Sequence, residues 1–218
     1  VGCIETDSED SDIDHDPTIY LRENFKLSHE SNPYTKEIFI DICQEINGAE
    51  IIIGELKGHF FNLCKLYDDK QLNNIISLIH QYDEETFDIC NSLIKETSCY
   101  KMGCENIYHL DRFFIFPQYR GSGVGRHVLD TFEKNIDLFM ENNVRYIGLF
   151  LDPITDNLEY DSMESMSREE REKAVKHLKL FYSSLGFVEM KTNPNYMYLD
   201  LNHLNLYKRK LSYEVIYQ

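Results

Sequence analysis

Gln118-Tyr119-Arg120-Gly121-Ser122-Gly123-Val124-Gly125 is the segment of this chain best suited to chemistry. It lies between an apolar run that ends at Pro117 and a long stretch of helical periodicity. Glycines let the chain turn sharply and bring backbone N–H groups close to a ligand, while a helix N-terminus adds partial positive charge. Together they hold a phosphate group without a lysine. A P-loop would need G-x-x-x-x-G-K followed by Ser or Thr, which is absent. Glycines at 121, 123 and 125 also do not fit the dinucleotide fingerprint G-x-G-x-x-G.

Metal chemistry has weaker support. Cys99 and Cys104, with His109 nearby, sketch half of a zinc site, but no second half with ligand spacing follows. The alternating aspartates near the start resemble a calcium loop, yet sixth from Asp10 stands His15 instead of Gly, and twelfth stands Leu21 instead of Glu. No metal is expected. The six cysteines (Cys3, Cys43, Cys64, Cys90, Cys99, Cys104) form no C-x-x-C pair, and no apolar secretory stretch precedes the acidic leader. Reduced thiols in a cytoplasmic protein are the expectation, most of them small buried hydrophobes.

The elements around the glycine stretch follow from periodicity. Ile38, Phe39, Ile40, Ile42 and Ile46 suggest a strand over 37–46, Asn47-Gly48 a tight hairpin turn, and a returning strand starts at Ala49 and reaches toward Phe61. Gly54 and Gly58 mark bulges or close backbone approach. Over 69–96 the spacing of Leu72, Ile75, Ile76, Ile79, Phe87, Cys90, Leu93 and Ile94 changes to that of two helices, broken near Asp83. A strand over 106–116 leads into the glycines, and Val124, Val128, Phe132, Ile136 and Phe139 share one face of the helix that follows. Val144 to Leu151 reads as a strand covered on both faces. A helix from Ala174 stops at Gly186, and two strands, 187–190 and 196–201, end the pattern. This order gives an α/β fold with a parallel pair at its centre.

At 218 residues and 25.8 kDa the chain is long enough for a sizeable core, and no run of 18 apolar residues makes a membrane span. The formal charge is −16, from 22 basic and 38 acidic residues, which disfavours nucleic acid and anionic membrane and favours cationic partners. Residues 1–16 carry −7 and residues 152–172 carry −6, leaving −3 elsewhere. The expected organisation is a flexible acidic leader (1–16) and one domain (17–218), with a helical insertion at 69–96 and an acidic one at 152–172.

The glycine stretch resembles motif A of the GCN5-related N-acetyltransferase (GNAT) superfamily, Q/R-x-x-G-x-G/A, with Gln118, Gly121 and Gly123 at its fixed positions. Asp111-Arg112-Phe113-Phe114-Ile115-Phe116-Pro117 looks like the family's fourth strand, and Phe181-Tyr182-Ser183-Ser184-Leu185-Gly186-Phe187 looks like its "fYxxLGF" element. The likeness covers about residues 106–201. It implies a mixed, partly splayed sheet flanked by helices, with a nonstandard N-terminal half, because a hairpin and the stretch 69–96 precede motif A. It also implies acetyl-CoA as co-substrate, no metal, and a primary amine, small or in a protein, as acceptor.

By the same resemblance, the backbone of Phe114 and Phe116 meets the pantetheine arm. Gln118, Tyr119, Arg120, Gly121, Ser122, Gly123, Val124, Gly125 and Arg126 receive the pyrophosphate. Tyr182 is the general acid, with helix-end packing as its alternative. Asp111 is the base, with Glu105, His109 or a simple ion pair as alternatives. Lys176 and Lys179 stand near positions where the family has other cofactor contacts. Carboxylates would repel coenzyme A, so Asp152 to Ser167 is expected to bend away from 119–125. The rival reading is a catalytically silent GNAT-like domain that binds acyl-CoA or a basic protein.

Overall fold

In the computed structural model the described residues are 18–24, 27, 29–97, 105–141, 143–154 and 166–202. In chain order they form β1 (Ile19–Glu23), β2 (His29–Asn32), β3 (Thr35–Ile46) and β4 (Ala49–Phe61), then α1 (Leu63–Asp68), α2 (Ile75–Ile79) and α3 (Glu84–Thr97). There follow β5 (Asn106–Ile115), α4 (Val124–Met140), β6 (Val144–Phe150), α5 (Arg168–Ser183), β7 (Val188–Glu189) and β8 (Tyr196–Asp200). None of these helices is long and apolar enough to cross a membrane.

The strands make one mixed sheet in the order β1-β3-β4-β5-β6-β8-β7, with β2 also beside β3. Only β5 and β6 run parallel, so the expected central parallel pair is present. Asn47 and Gly48 have φ of 53° and 77°, the two left-handed residues of a tight hairpin turn, and they set the register Ile46 opposite Ala49.

Alternation along β5 and β6 sends side chains to two separate cores. Tyr108, Leu110, Ile147 and Leu149 meet Leu129, Phe132 and Ile136 of α4 and Leu178 and Tyr182 of α5. Ile107 and Tyr146 meet Leu78, Ile79, Ile89 and Leu93 of α2 and α3. Both faces of the central strands are therefore covered, which is why β6 reads as almost continuously apolar. The mixed sheet between helices is the architecture that the resemblance implies.

Three features escaped the sequence reading. Strands β1 and β2 and helix α1 are short elements with little periodicity. Helix α5 begins at Arg168 instead of Ala174, so residues 168–172 are its first turns and not part of an inserted acidic segment. The signal was present: Ser167 accepts a hydrogen bond from the Glu170 N–H, and the Glu170 carboxylate accepts one from the Ser167 N–H. That Ser-x-x-Glu capping box places Glu169 and Glu170 where the helix dipole favours them. The acidic leader with its calcium-like aspartates, the Cys99 and Cys104 pair, and residues 155–165 lie outside the described residues.

Candidate active site

Strand β5 pairs with β6 only from Asn106 to Leu110, while along β4 it continues to Ile115. Beyond Leu110 the two parallel strands part, and between them lies a cleft of about 1020 Å³. The parting coincides with a bulge. Lys57 faces Arg112 and Gly58 faces Leu110, so Asp111 is the extra residue. Gly58 is required there, since a Cβ would fall 2.2 Å from the His109 carbonyl oxygen.

At the far end of β5 the chain turns through Gly121, Ser122 and Gly123, at φ 89°, 41° and 83°, into the N-terminus of α4. A Cβ on Gly121 or Gly123 would meet nothing within 4 Å, so backbone conformation, and not crowding, requires glycine. Arg120, Gly121, Ser122, Gly123, Gly125 and Arg126 all line the cleft. Arg120 Nε donates to the Ile115 carbonyl at 2.8 Å, and Arg126 reaches Ser184 Oγ at 2.7 Å, tying α4 to the end of α5. Gln118, Tyr119 and Val124 are outside the lining, and Tyr119 and Val124 instead pack on the cluster of Ile42, Ile53, Ile115 and Val128 beneath the loop.

The strand edge differs from expectation by one residue. Phe116 N–H donates to the Ile53 carbonyl of β4 at 2.9 Å. Regular pairing back to Lys57 opposite Arg112 then turns the N–H of Phe114 to β4 as well. The backbone N–H groups facing the cleft belong to Phe113 and Ile115, not to Phe114 and Phe116. Strand parity depends on the partner strand, and a single sequence does not carry it.

Tyr182 sits in the last turn of α5, with its ring against Phe181 and Phe187, and lines the cleft. Burial pushes its pKa well above the ordinary value, so the hydroxyl stays protonated. The cleft wall on α5 is Ala174, His177, Leu178 and Phe181, at helical spacing. Lys176 and Lys179 are not in it, and Lys179 pairs with Glu189. The acidic segment expected to bend away from residues 119–125 is described only at its two ends. Asp152, Pro153, Ile154 and Met166 line the same cleft as Arg120 and Gly123, with Asp152 held by Arg171 at 2.8 Å.

Near the bulge, β5 and the N-terminus of α3 bring Asp111, His109 and Glu85 together. One potential ligand atom from each lies within 4.8 Å of the others, the only such group among the described residues. Asp111 is 3.2 Å from Lys57 Nζ, so the ion pair weighed as its alternative role is formed. Glu105 faces Arg145 at 3.9 Å and is not in the cleft. His109 is fully buried, and burial lowers its pKa to about 4, leaving the ring neutral at pH 7.

Glu85 was not singled out in the sequence, where Asp83-Glu84-Glu85 reads as ordinary helix-start acids. Burial, followed by the charges of Asp111, Asp83 and Asp152, raises its pKa to about 7. That is a value suited to a base at neutral pH. The folded protein therefore binds this proton more tightly than the unfolded chain, and its contribution to stability fades as pH rises from 4.5 to about 7. If Glu85 accepts the proton of an incoming amine, kcat/KM for that amine rises with pH through about 7. A rate profile of Glu85→Gln should lack this limb, whereas a limb kept in the variant assigns it to another group.

No protein-family model and no curated protein match the chain. Solved structures do. A KacTA–DNA complex aligns over 82% of this chain and 76% of its own, at 10% identity and TM-score 0.42. An apo form of an agmatine N-acetyltransferase mutant aligns over 74% and 75%, at 10% identity and TM-score 0.35. A mosquito arylalkylamine N-acetyltransferase-like protein 5b aligns over 58% and 56%, at 17% identity and TM-score 0.31. At these scores the likenesses carry no argument, and the functional reading rests on the cleft.

Proposed function

We propose that this chain is an acetyl-CoA-dependent N-acetyltransferase that acetylates a primary amine by direct attack. The observation that carries the reading is the cleft where β5 and β6 part. It has a glycine loop and helix N-terminus at one end of the free β5 edge and a carboxylate with a pKa near 7 at the other. The stretch from Asp111 to Ile115 gives about 13 Å of strand between them, by the rise per residue. An elongated thioester carrying a pyrophosphate fits this division.

In this reading the backbone N–H groups of Gly121 to Gly123 and the start of α4 hold the pyrophosphate, and Arg120 and Arg126 border it. An N–H of Phe113 or Ile115 faces the thioester carbonyl and supports the negative charge that develops on its oxygen. The amine nitrogen forms the new C–N bond as the C–S bond breaks. Glu85 takes the amine proton, with Asp111 held beside it by Lys57, and Tyr182 gives a proton to the departing thiolate.

The first test is thermal. Acetyl-CoA at 100 times its dissociation constant adds about 2.7 kcal/mol, which for a chain of this size is a rise of about 5–10 °C in melting temperature. Thiol release with a panel of amines then reports the chemistry. With neither a melting shift nor thiol release, the reading gives way to a silent domain that binds a basic partner.

A further inference from the structure

Asp83, Thr86, His109 and Glu85 form one line of polar side chains between the start of α3 and β5. His109 stands at its centre. Its ring is fully buried and does not line the reaction cleft, so it meets no substrate, and its influence on the reaction passes through a neighbour. The direction of the protons along the line follows from its Asp83 end. Asp83 accepts from the Thr86 N–H at 2.7 Å and lies 3.2 Å from the Thr86 hydroxyl. Burial by itself would raise the Asp83 pKa, but the hydrogen bonds from Thr86 hold it below the ordinary value. At pH 7 Asp83 is a carboxylate with no proton to give, so the single Thr86 hydroxyl proton goes to it. Thr86 Oγ1 then meets His109 Nδ1 at 3.0 Å as an acceptor, and the imidazole proton stands on Nδ1. The opposite tautomer would satisfy one of these two contacts instead of both.

Because the neutral ring has one N–H, Nε2 is a bare lone pair. It is buried without a hydrogen-bond partner, and Glu85 Oε1 lies 3.7 Å from it. Two acceptors that face each other repel while Glu85 is ionised, which accounts for a separation too long for a hydrogen bond. A protonated Glu85 carries the missing donor, and a closure of about 1 Å completes an O–H···N bond. The surrounding groups are otherwise engaged. His59 of β4 stacks on His109 with ring centroids 6.0 Å apart and turns its Nε2 to Glu37. Tyr82, edge-on to His59, gives its hydroxyl proton to Thr35, and Lys57 lies 3.2 Å from both Glu37 and Asp111. Asp83, Asp111 and Asp152 face Glu85 as like charges, and Glu84 and Asp88 of α3 and Tyr196 of β8 border it.

Resting on the acyl-transfer reading, in which Glu85 takes the amine proton, we infer that His109 is the positioning residue for that base. Thr86 and Asp83 hold it as the Nδ1–H tautomer, and its Nε2 accepts a hydrogen bond from Glu85 once Glu85 is protonated. The bond stabilises the protonated carboxyl and not the carboxylate, so it makes Glu85 a stronger base. It also turns the captured proton away from the new amide. The proton stays bonded to Glu85 throughout and passes to solvent after the product leaves.

Thr86→Val keeps the outline of a fully buried side chain and removes the acceptor for Nδ1–H. The imidazole proton then moves to Nε2, where it donates to the Glu85 carboxylate and stabilises the ionised form. The test is an NMR titration of the full chain without acetyl-CoA. It follows the Glu85 carboxyl carbon, assigned with Glu85→Gln, and the imidazole nitrogens of His109. The unaltered protein should show a protonated Nδ1 and a Glu85 midpoint of about 7. Thr86→Val should lower that midpoint by at least about one pH unit, a tenfold change in acidity, and carry the rising limb of kcat/KM down with it. Thr86→Ser, which keeps the hydroxyl, should restore both. A proton on Nε2 in the unaltered protein overturns the inference without any variant, as does a Glu85 midpoint that Thr86→Val leaves in place. A midpoint that moves while the limb of kcat/KM stays also overturns it, and acyl transfer stands. Where no amine is acetylated, thiol release marks the failure of the acyl-transfer reading, and the titration still upholds or overturns the pairing of His109 with Glu85.

Discussion

Replacing Gly123 by Val should lower acetyl-CoA affinity at least about a hundredfold, or about 2.7 kcal/mol, while the unliganded protein keeps its fold. Gly123 holds φ 83° at the entry to α4, a conformation that costs an L-residue about 1–2 kcal/mol and a β-branched one more. No atom of the protein lies within 4 Å of the new Cβ, so nothing in the core is displaced. Strain is relieved by moving the loop toward negative φ, which turns the N–H groups of residues 121–123 away from the ligand. Calorimetry with acetyl-CoA measures the loss, and circular dichroism with a melting curve reports the fold. An affinity equal to that of the unaltered protein would remove the phosphate site and the proposed function with it.

Tyr182→Phe should reduce turnover about tenfold to a thousandfold and leave the acetyl-CoA dissociation constant nearly unchanged. The ring packs against Phe181 and Phe187 and is almost wholly buried, and phenylalanine preserves those contacts. Only the hydroxyl is lost. Since burial keeps that hydroxyl protonated, it acts as a donor at every pH near neutrality. Donation to the departing thiolate affects the chemical step and not ground-state binding, so kcat should fall while affinity holds. An amine whose transfer step is slow gives the cleanest reading, because product release then hides little. Full activity in the variant would assign Tyr182 to packing alone.

The parts of the cleft that were legible in the sequence are those in which one short segment does the work. The strand at 106–115, the glycine turn, the start of α4 and the tyrosine before Leu185-Gly186-Phe187 each announce themselves within a few residues. Apolar period, left-handed glycines and helix stops act over that range. Helix α5 was misjudged by six residues for a reason of the same kind. The charged pattern of 168–172 hid a capping box that the local rule would have found.

Read alone, the sequence determined the central parallel pair, the Asn47-Gly48 hairpin, the glycine turn before α4 and the place of Tyr182, because chain-local sterics and periodicity impose them. Tertiary structure decided the rest. Whether Phe113 and Ile115 or Phe114 and Phe116 offer their N–H groups to the cleft depends on the pairing of β5 with β4 and on the bulge at Asp111. The base assigned in the proposed reaction depends on α3 docking against β5, which brings Glu85 beside His109 and Asp111 from more than twenty residues away. Burial and three neighbouring carboxylates then shift Glu85 to about 7. Desolvation and charge proximity are properties of packed neighbours, and no stretch of chain carries them before it folds.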